Sequence, residues 1–74
     1  MEKEIDSYQI REILNDFLGT LSRKDRDILL RRYWYMDSIR EIAQRHQVTE
    51  TNVKSNLYRS RKKLLKIMNK EGIL

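Results

Sequence analysis

The chain has 74 residues, a net charge of +5, no cysteine, no proline and two glycines. A length of this order suits one domain, and burying only about 60% of the unfolded surface leaves little room for an enclosed catalytic chamber. The missing thiols exclude disulfides and thiolate metal sites and fit a reducing cytoplasm; no apolar run approaches the ~20 residues that cross a bilayer, and the acidic start is unlike a signal peptide.

Without proline, and with only Gly19 and Gly72 as breakers, the composition predicts an all-α fold. The first helix is expected over about 7–19, capped by Asp6 or Ser7 with Gln9 completing a capping box. Ile10, Ile13, Leu14, Phe17, Leu18 and Leu21 follow i, i+3, i+4, i+7, i+8, i+11, a single apolar stripe that needs a surface to pack on. Gly19-Thr20 ends it. Ser22 followed by Asp25 starts a second helix, expected over about 23–36, with Ile28, Leu29, Tyr33 and Trp34 on its apolar side and Arg31 and Arg32 outward. Trp34 and its tyrosine neighbours read as core and rim, because base-stacking platforms are usually presented on strands.

Ser38 and Glu41 form a full S-x-x-E capping box for a third helix over about 39–46, whose short buried face is Ile39, Ile42 and Ala43. Thr49 caps the fourth and longest helix, about 50–69. No internal repeat, linker or low-complexity segment interrupts the chain. The tail Ile67, Met68, Ile73 and Leu74 either completes the core or meets a partner.

Charge is segregated along this plan. Residues 1–50 hold ten acids and nine bases, a balance of −1; residues 51–74 hold one acid and seven bases, a balance of +6. A solvated face would intersperse both signs, so a cationic segment on one element points to a polyanionic partner. Two helices separated by about three residues, the second basic, describe a helix-turn-helix, whose second helix enters the major groove of DNA. At 100° per residue, Val53, Leu57, Ser60, Leu64 and Ile67 fall on one side of the last helix, and Thr51, Ser55, Tyr58, Arg59 and Lys62 on the other. Glu50, Thr51, Lys54 and Ser55, near its N-terminus, are the candidates for base edges. Glu50 can accept from a cytosine amino group and Lys54 can donate to guanine. Tyr58, Arg59 and Lys62 suit phosphates. Ser38, with the free amides at the start of the third helix, and Arg40 one turn inside it are candidate backbone clamps. Arg40 reads equally well as an ordinary exposed arginine.

These residues carry a resemblance. The stretch LSRKDRDILLRRYWYMDSIREIAQRHQVTETNVKSNLYRSRKKL, Leu21 to Leu64, resembles region four of bacterial RNA polymerase sigma factors of the sigma-70 family, particularly the extracytoplasmic-function type. The shared pattern comprises Leu21, Ser22, Arg26, Ile28, Leu29, Arg32, Tyr33, Ser38, Glu41, Ile42 and Ala43. It continues through Val48, Thr49, Glu50, Val53, Lys54, Ser55, Leu57, Arg59, Ser60, Arg61 and Leu64. The resemblance implies a four-helix domain with a C-terminal helix-turn-helix, winged-helix-like or of the sigma-region-4 type, and a long basic last helix. It implies recognition of the minus-thirty-five promoter element in double-stranded DNA, docking on the β flap of the RNA polymerase core, and capture by an anti-sigma protein. Base and backbone contacts of the family fall on Glu50, Thr51, Lys54, Ser55, Tyr58 and Arg59. Gln47 stands where many relatives have a turn glycine, Thr51-Asn52 replaces a frequent Gly-Thr, and Asn56 replaces a frequent Arg. The family's region two is not expected in these residues, so the chain reads as a domain of a sigma factor.

An enzyme would need a nucleophile with a base, a carboxylate pair or converging metal ligands. His46, the only histidine, sits at a helix end and reads as a surface or cap residue, so no enzyme, cofactor, metal, small-molecule substrate or membrane partner is expected. A protein-interaction module and a stand-alone regulator of LuxR type are the competing readings. The R-Y segment before Ser38 and R-x-R after Leu57 favour sigma.

Overall fold

The computed structural model describes residues 7–72, which form α1 (Ser7–Thr20), α2 (Arg23–Tyr33), α3 (Ile39–His46) and α4 (Glu50–Lys70). The cap expected at Asp6 and the tail residues Ile73 and Leu74 lie outside the described residues. Three helix starts are set by hydroxyl side chains that accept from an amide three residues on. Ser22 accepts from Asp25, Ser38 from Glu41 and Thr49 from Asn52, at 3.2, 3.0 and 3.0 Å. Each such cap contributes about 0.5–2 kcal/mol relative to alanine. At Ser38 the box is complete, since the Ser38 amide donates to Glu41 Oε1 at 3.2 Å.

The turn between α3 and α4 passes through Gln47 at φ 55° and ψ 45°, the left-handed region. The Val48 amide then donates to the Ala43 carbonyl at 3.0 Å. This bend turns α4 away from α3 and lets both lay their apolar faces on α2. Ile28 of α2, Ile42 and Ala43 of α3, and Val53 and Leu57 of α4 form the core, with Leu29, Ile39 and Val48 packed against it. Ile28, Ile42 and Val53 are fully buried. Burial of each such side chain contributes about 1.5–3 kcal/mol.

The α1 stripe buries Phe17 and Leu21, half-buries Ile10, Ile13 and Leu18, and leaves Leu14 exposed. Arg26 of α2 ties the two helices by donating Nε to the Leu18 carbonyl (3.0 Å) and Nη2 to that of Leu21 (3.4 Å). Those carbonyls sit at the α1 C-terminus, where a cation is favoured. No strand occurs among the described residues, so the helix-turn-helix there carries no wing.

The middle of the chain departs from expectation. α2 ends at Tyr33, three residues before residue 36. The Tyr35 amide donates to Leu30 O at 3.1 Å and the Asp37 amide to Arg31 O at 2.8 Å, while Met36 takes φ 60°. Arg31 and Arg32 are half-buried rather than outward. Arg31 pairs with Asp37 at 3.5 Å and Arg32 Nη1 donates to the Asp37 carbonyl at 3.1 Å, bonds that hold the non-helical turn closed. Trp34 belongs to neither core nor covered rim. It is 78% exposed, with Tyr33, Tyr35 and Met36 exposed beside it, because the turn that satisfies Asp37 rotates these side chains outward.

Candidate nucleic-acid interface

Thr49 fixes where α4 starts, and the four-residue spacing of Val53 and Leu57 fixes how it is rotated. Glu50, Thr51, Lys54, Ser55, Tyr58, Arg59 and Lys62 are consequently all exposed. Tyr58 keeps 59% of its surface free, and the Lys62 ammonium lies 5.9 Å from its ring centroid. Glu50 is the acid of the first turn, where the helix dipole favours a negative charge. Among the described residues none of the seven side chains is held by a salt bridge or hydrogen bond, so their polar groups are available to a partner.

The expected clamp at α3 is more constrained. Arg40 is exposed, but Ser38 is half-buried and its hydroxyl accepts from the Glu41 amide. The Ser38 backbone N–H, followed by its side chain, holds the Glu41 carboxyl below its ordinary range. This carboxylate already answers the α3 N-terminus, and a phosphate arriving there meets its charge.

Two buried or half-buried contacts were not legible from residue types. Asn56 is 5% exposed and donates Nδ2 to Asp25 Oδ1 of α2 at 2.7 Å, while its Oδ1 is buried without a partner. Its spacing from Val53 and Ser60, i+3 and i−4, is the signal that could have found it. His46 is not a plain surface residue. Its Nε2 lies 2.8 Å from Asp27 Oδ2, which also meets Arg31 Nε at 3.1 Å and Arg45 Nε at 3.9 Å. Partial burial pushes the Asp27 carboxyl upward, but hydrogen bonds from His46 and Arg31 outweigh it and hold it below its usual range. These bonds join α2 to the end of α3 and stabilise the frame that carries α4.

On another side of α4, Ile10, Leu14, Leu18, Leu30, Trp34 and Leu64 line an open apolar groove of about 1120 Å³, with Arg61 at its edge. Arg61 donates Nη1 to the Tyr33 hydroxyl at 2.9 Å and so is turned from the Thr51–Arg59 face. No group of three or more His, Cys, Asp or Glu able to hold a metal occurs among the described residues, and no helix there is long and apolar enough to cross a membrane.

A bent pair of helices on a three-helix core, the second offering an unpaired polar and cationic face beyond its first turn, defines a DNA-binding helix-turn-helix module. The family model for sigma-70, region 4, matches residues 11–64, and the chain belongs to that family. No curated protein matches it. Membership makes this a DNA-binding domain of transcription initiation, from a family that works with RNA polymerase and is not a family of enzymes; it also decides the family against the LuxR-type alternative.

Proposed function

We propose that the domain recognises the minus-thirty-five promoter element as the C-terminal part of a sigma factor, working in the cytoplasm, and bridges that DNA to the β flap of RNA polymerase. The observation that carries this reading is the division of α4 into two working flanks. Thr51, Ser55, Tyr58, Arg59 and Lys62 face solvent on one, while Leu64 and Arg61 line the apolar groove on another. A rigid helix held between them by Val53 and Leu57 can engage a major groove and an apolar protein segment together. Glu50, Thr51, Lys54 and Ser55 read base edges; Tyr58, Arg59 and Lys62, with the exposed Arg40, meet phosphates.

Fluorescence anisotropy with duplexes of varied sequence tests the assignment. Arg59→Ala is expected to weaken every duplex alike and to lower the log–log salt slope by about 0.9. Glu50→Ala or Lys54→Ala is expected to change which duplex is preferred, by about 1–3 kcal/mol at one base pair. Uniform losses from all three substitutions would refute the division between base and backbone contacts.

The exposed Trp34 and the groove beside it favour a second reading, in which an anti-sigma protein takes the same apolar surface. A peptide of the polymerase flap and such a protein would then compete, and simultaneous binding of both would exclude a shared groove.

A further inference from the structure

The molecule treats its cations unequally. Arg26, Arg31, Arg32, Arg45 and Arg61 are each tied to a carbonyl, a carboxylate or a tyrosine. Arg23 and Lys24 in the first turn of α2, and Lys63, Lys66 and Lys70 in the second half of α4, are all exposed. None of these five enters a salt bridge or side-chain hydrogen bond among the described residues.

The three α4 lysines are placed together on one side of the domain. The 2.7 Å bond between Asn56 and Asp25 pins the first turn of α2 to the N-terminal third of α4. Farther along, Thr20 at the end of α1 shares a shallow hollow of about 340 Å³ with Lys63, Lys66, Ile67 and Lys70. The corner between α1 and α2 therefore runs beside the second half of α4. Helical geometry puts Arg59, Lys63, Lys66 and Lys70 within an arc of about 60°, next to the Thr51–Ser55–Lys62 face and away from the groove. Arg59 to Lys70 is a stripe about 16 Å long at 1.5 Å per residue. Glu71 directly follows Lys70 at the end of α4, and among the described residues neither it nor Asp16 makes a salt bridge; one oxygen of Asp25 accepts from Asn56.

We propose that this lateral basic face, Lys63, Lys66 and Lys70 in line with Arg59, follows the phosphate backbone of the duplex beyond the recognised element and binds it without regard to sequence. The inference rests on the DNA-binding reading above and extends it. A duplex is favoured over an acidic protein because the stripe is continuous, through Arg59, with the face assigned to DNA. Phosphates repeat every ~3.4 Å of duplex axis on each strand, so a stripe of this length spans several. Lysine, a compact charge on a flexible stem, suits contacts that carry no base information.

The test compares the intact chain with Lys63→Ala/Lys66→Ala/Lys70→Ala on two duplexes, one limited to the preferred element and one extended by ten or more base pairs at each end. Three lost phosphate contacts are expected to reduce the log–log salt slope on the long duplex by about 2–3, and to erase the parent's preference for it over the short one. The triple glutamate variant is expected to bind the long duplex more weakly than the short one. Circular dichroism confirms that the exposed substitutions leave the fold intact. A parent that binds both duplexes alike, or a variant that keeps the parent's slope, overturns the inference while leaving α4 as the DNA reader. Unchanged DNA binding together with lost binding to polyglutamate assigns the face to an acidic protein and likewise overturns it. A parent that binds neither duplex removes the DNA reading itself.

Discussion

Replacing Asp25 by Ala removes the acceptor of the Asn56 amide and leaves a second buried polar group of that side chain without a partner, since its Oδ1 already lacks one. A hydrogen bond to a charged group contributes about 1.5–3 kcal/mol, and an orphaned buried donor costs about 1–3 kcal/mol. These overlap, and Asp25 is only half-buried, so the expected loss is about 2–3 kcal/mol. For a domain whose whole stability is about 4–11 kcal/mol, that lowers Tm by roughly 10–20 °C. Asn56→Leu behaves differently. It deletes both amide groups, fills the same apolar arc as Val53 and Ser60, and leaves Asp25 to water, so a change within about 1 kcal/mol is expected. The double variant should then be more stable than Asp25→Ala alone, because no unpaired amide remains. Urea and thermal melts followed at 222 nm provide the cycle. If Asp25→Ala costs less than about 0.5 kcal/mol, or the two losses simply add, the bond does not hold α4 to α2 and the reasoning fails.

Gln47→Gly is expected to raise stability by about 0.5–1 kcal/mol in the same melts, since φ 55° strains any residue with a Cβ. Acid should unfold the domain partly through Asp27. Its carboxyl is held below its ordinary value of 3.8 in the folded state, so its contribution is complete above that pH and disappears as pH falls through the lowered value. Urea melts from pH 5 to 2 are expected to show a shallower loss for Asp27→Asn than for the parent in that window. Trp34→Ala should change stability by less than about 0.5 kcal/mol, because the ring is 78% exposed, yet weaken binding of a polymerase-flap peptide in a titration.

Much of the fold was legible because its signals are local. Ser22, Ser38 and Thr49 each bond an amide three residues away, and the Ser38–Glu41 box is complete within four residues. The turn at Gln47 was flagged by the resemblance, since many relatives have a glycine there, and the rotation of α4 followed from the spacing of Val53 and Leu57. The exposed set from Glu50 to Lys62 follows from that rotation alone. The end of α2 was not legible. No breaker stands near Tyr33, and the helix stops because Arg31 and Arg32 reach Asp37 and close a different turn.

By itself, then, the sequence determined the starts of α2, α3 and α4 with their hydroxyl caps and the side of α4 turned to solvent, since each depends on neighbours within about one helical turn. Only the tertiary structure decided what lies across from those faces. Asn56 meets Asp25 31 positions earlier, and His46 meets Asp27 19 positions earlier. Trp34 lines an open groove, and Thr20 sits beside Lys63, Lys66 and Lys70. An apolar stripe states that a face must be covered, but which element covers it depends on how the chain returns in space, and periodicity along one helix carries no record of that.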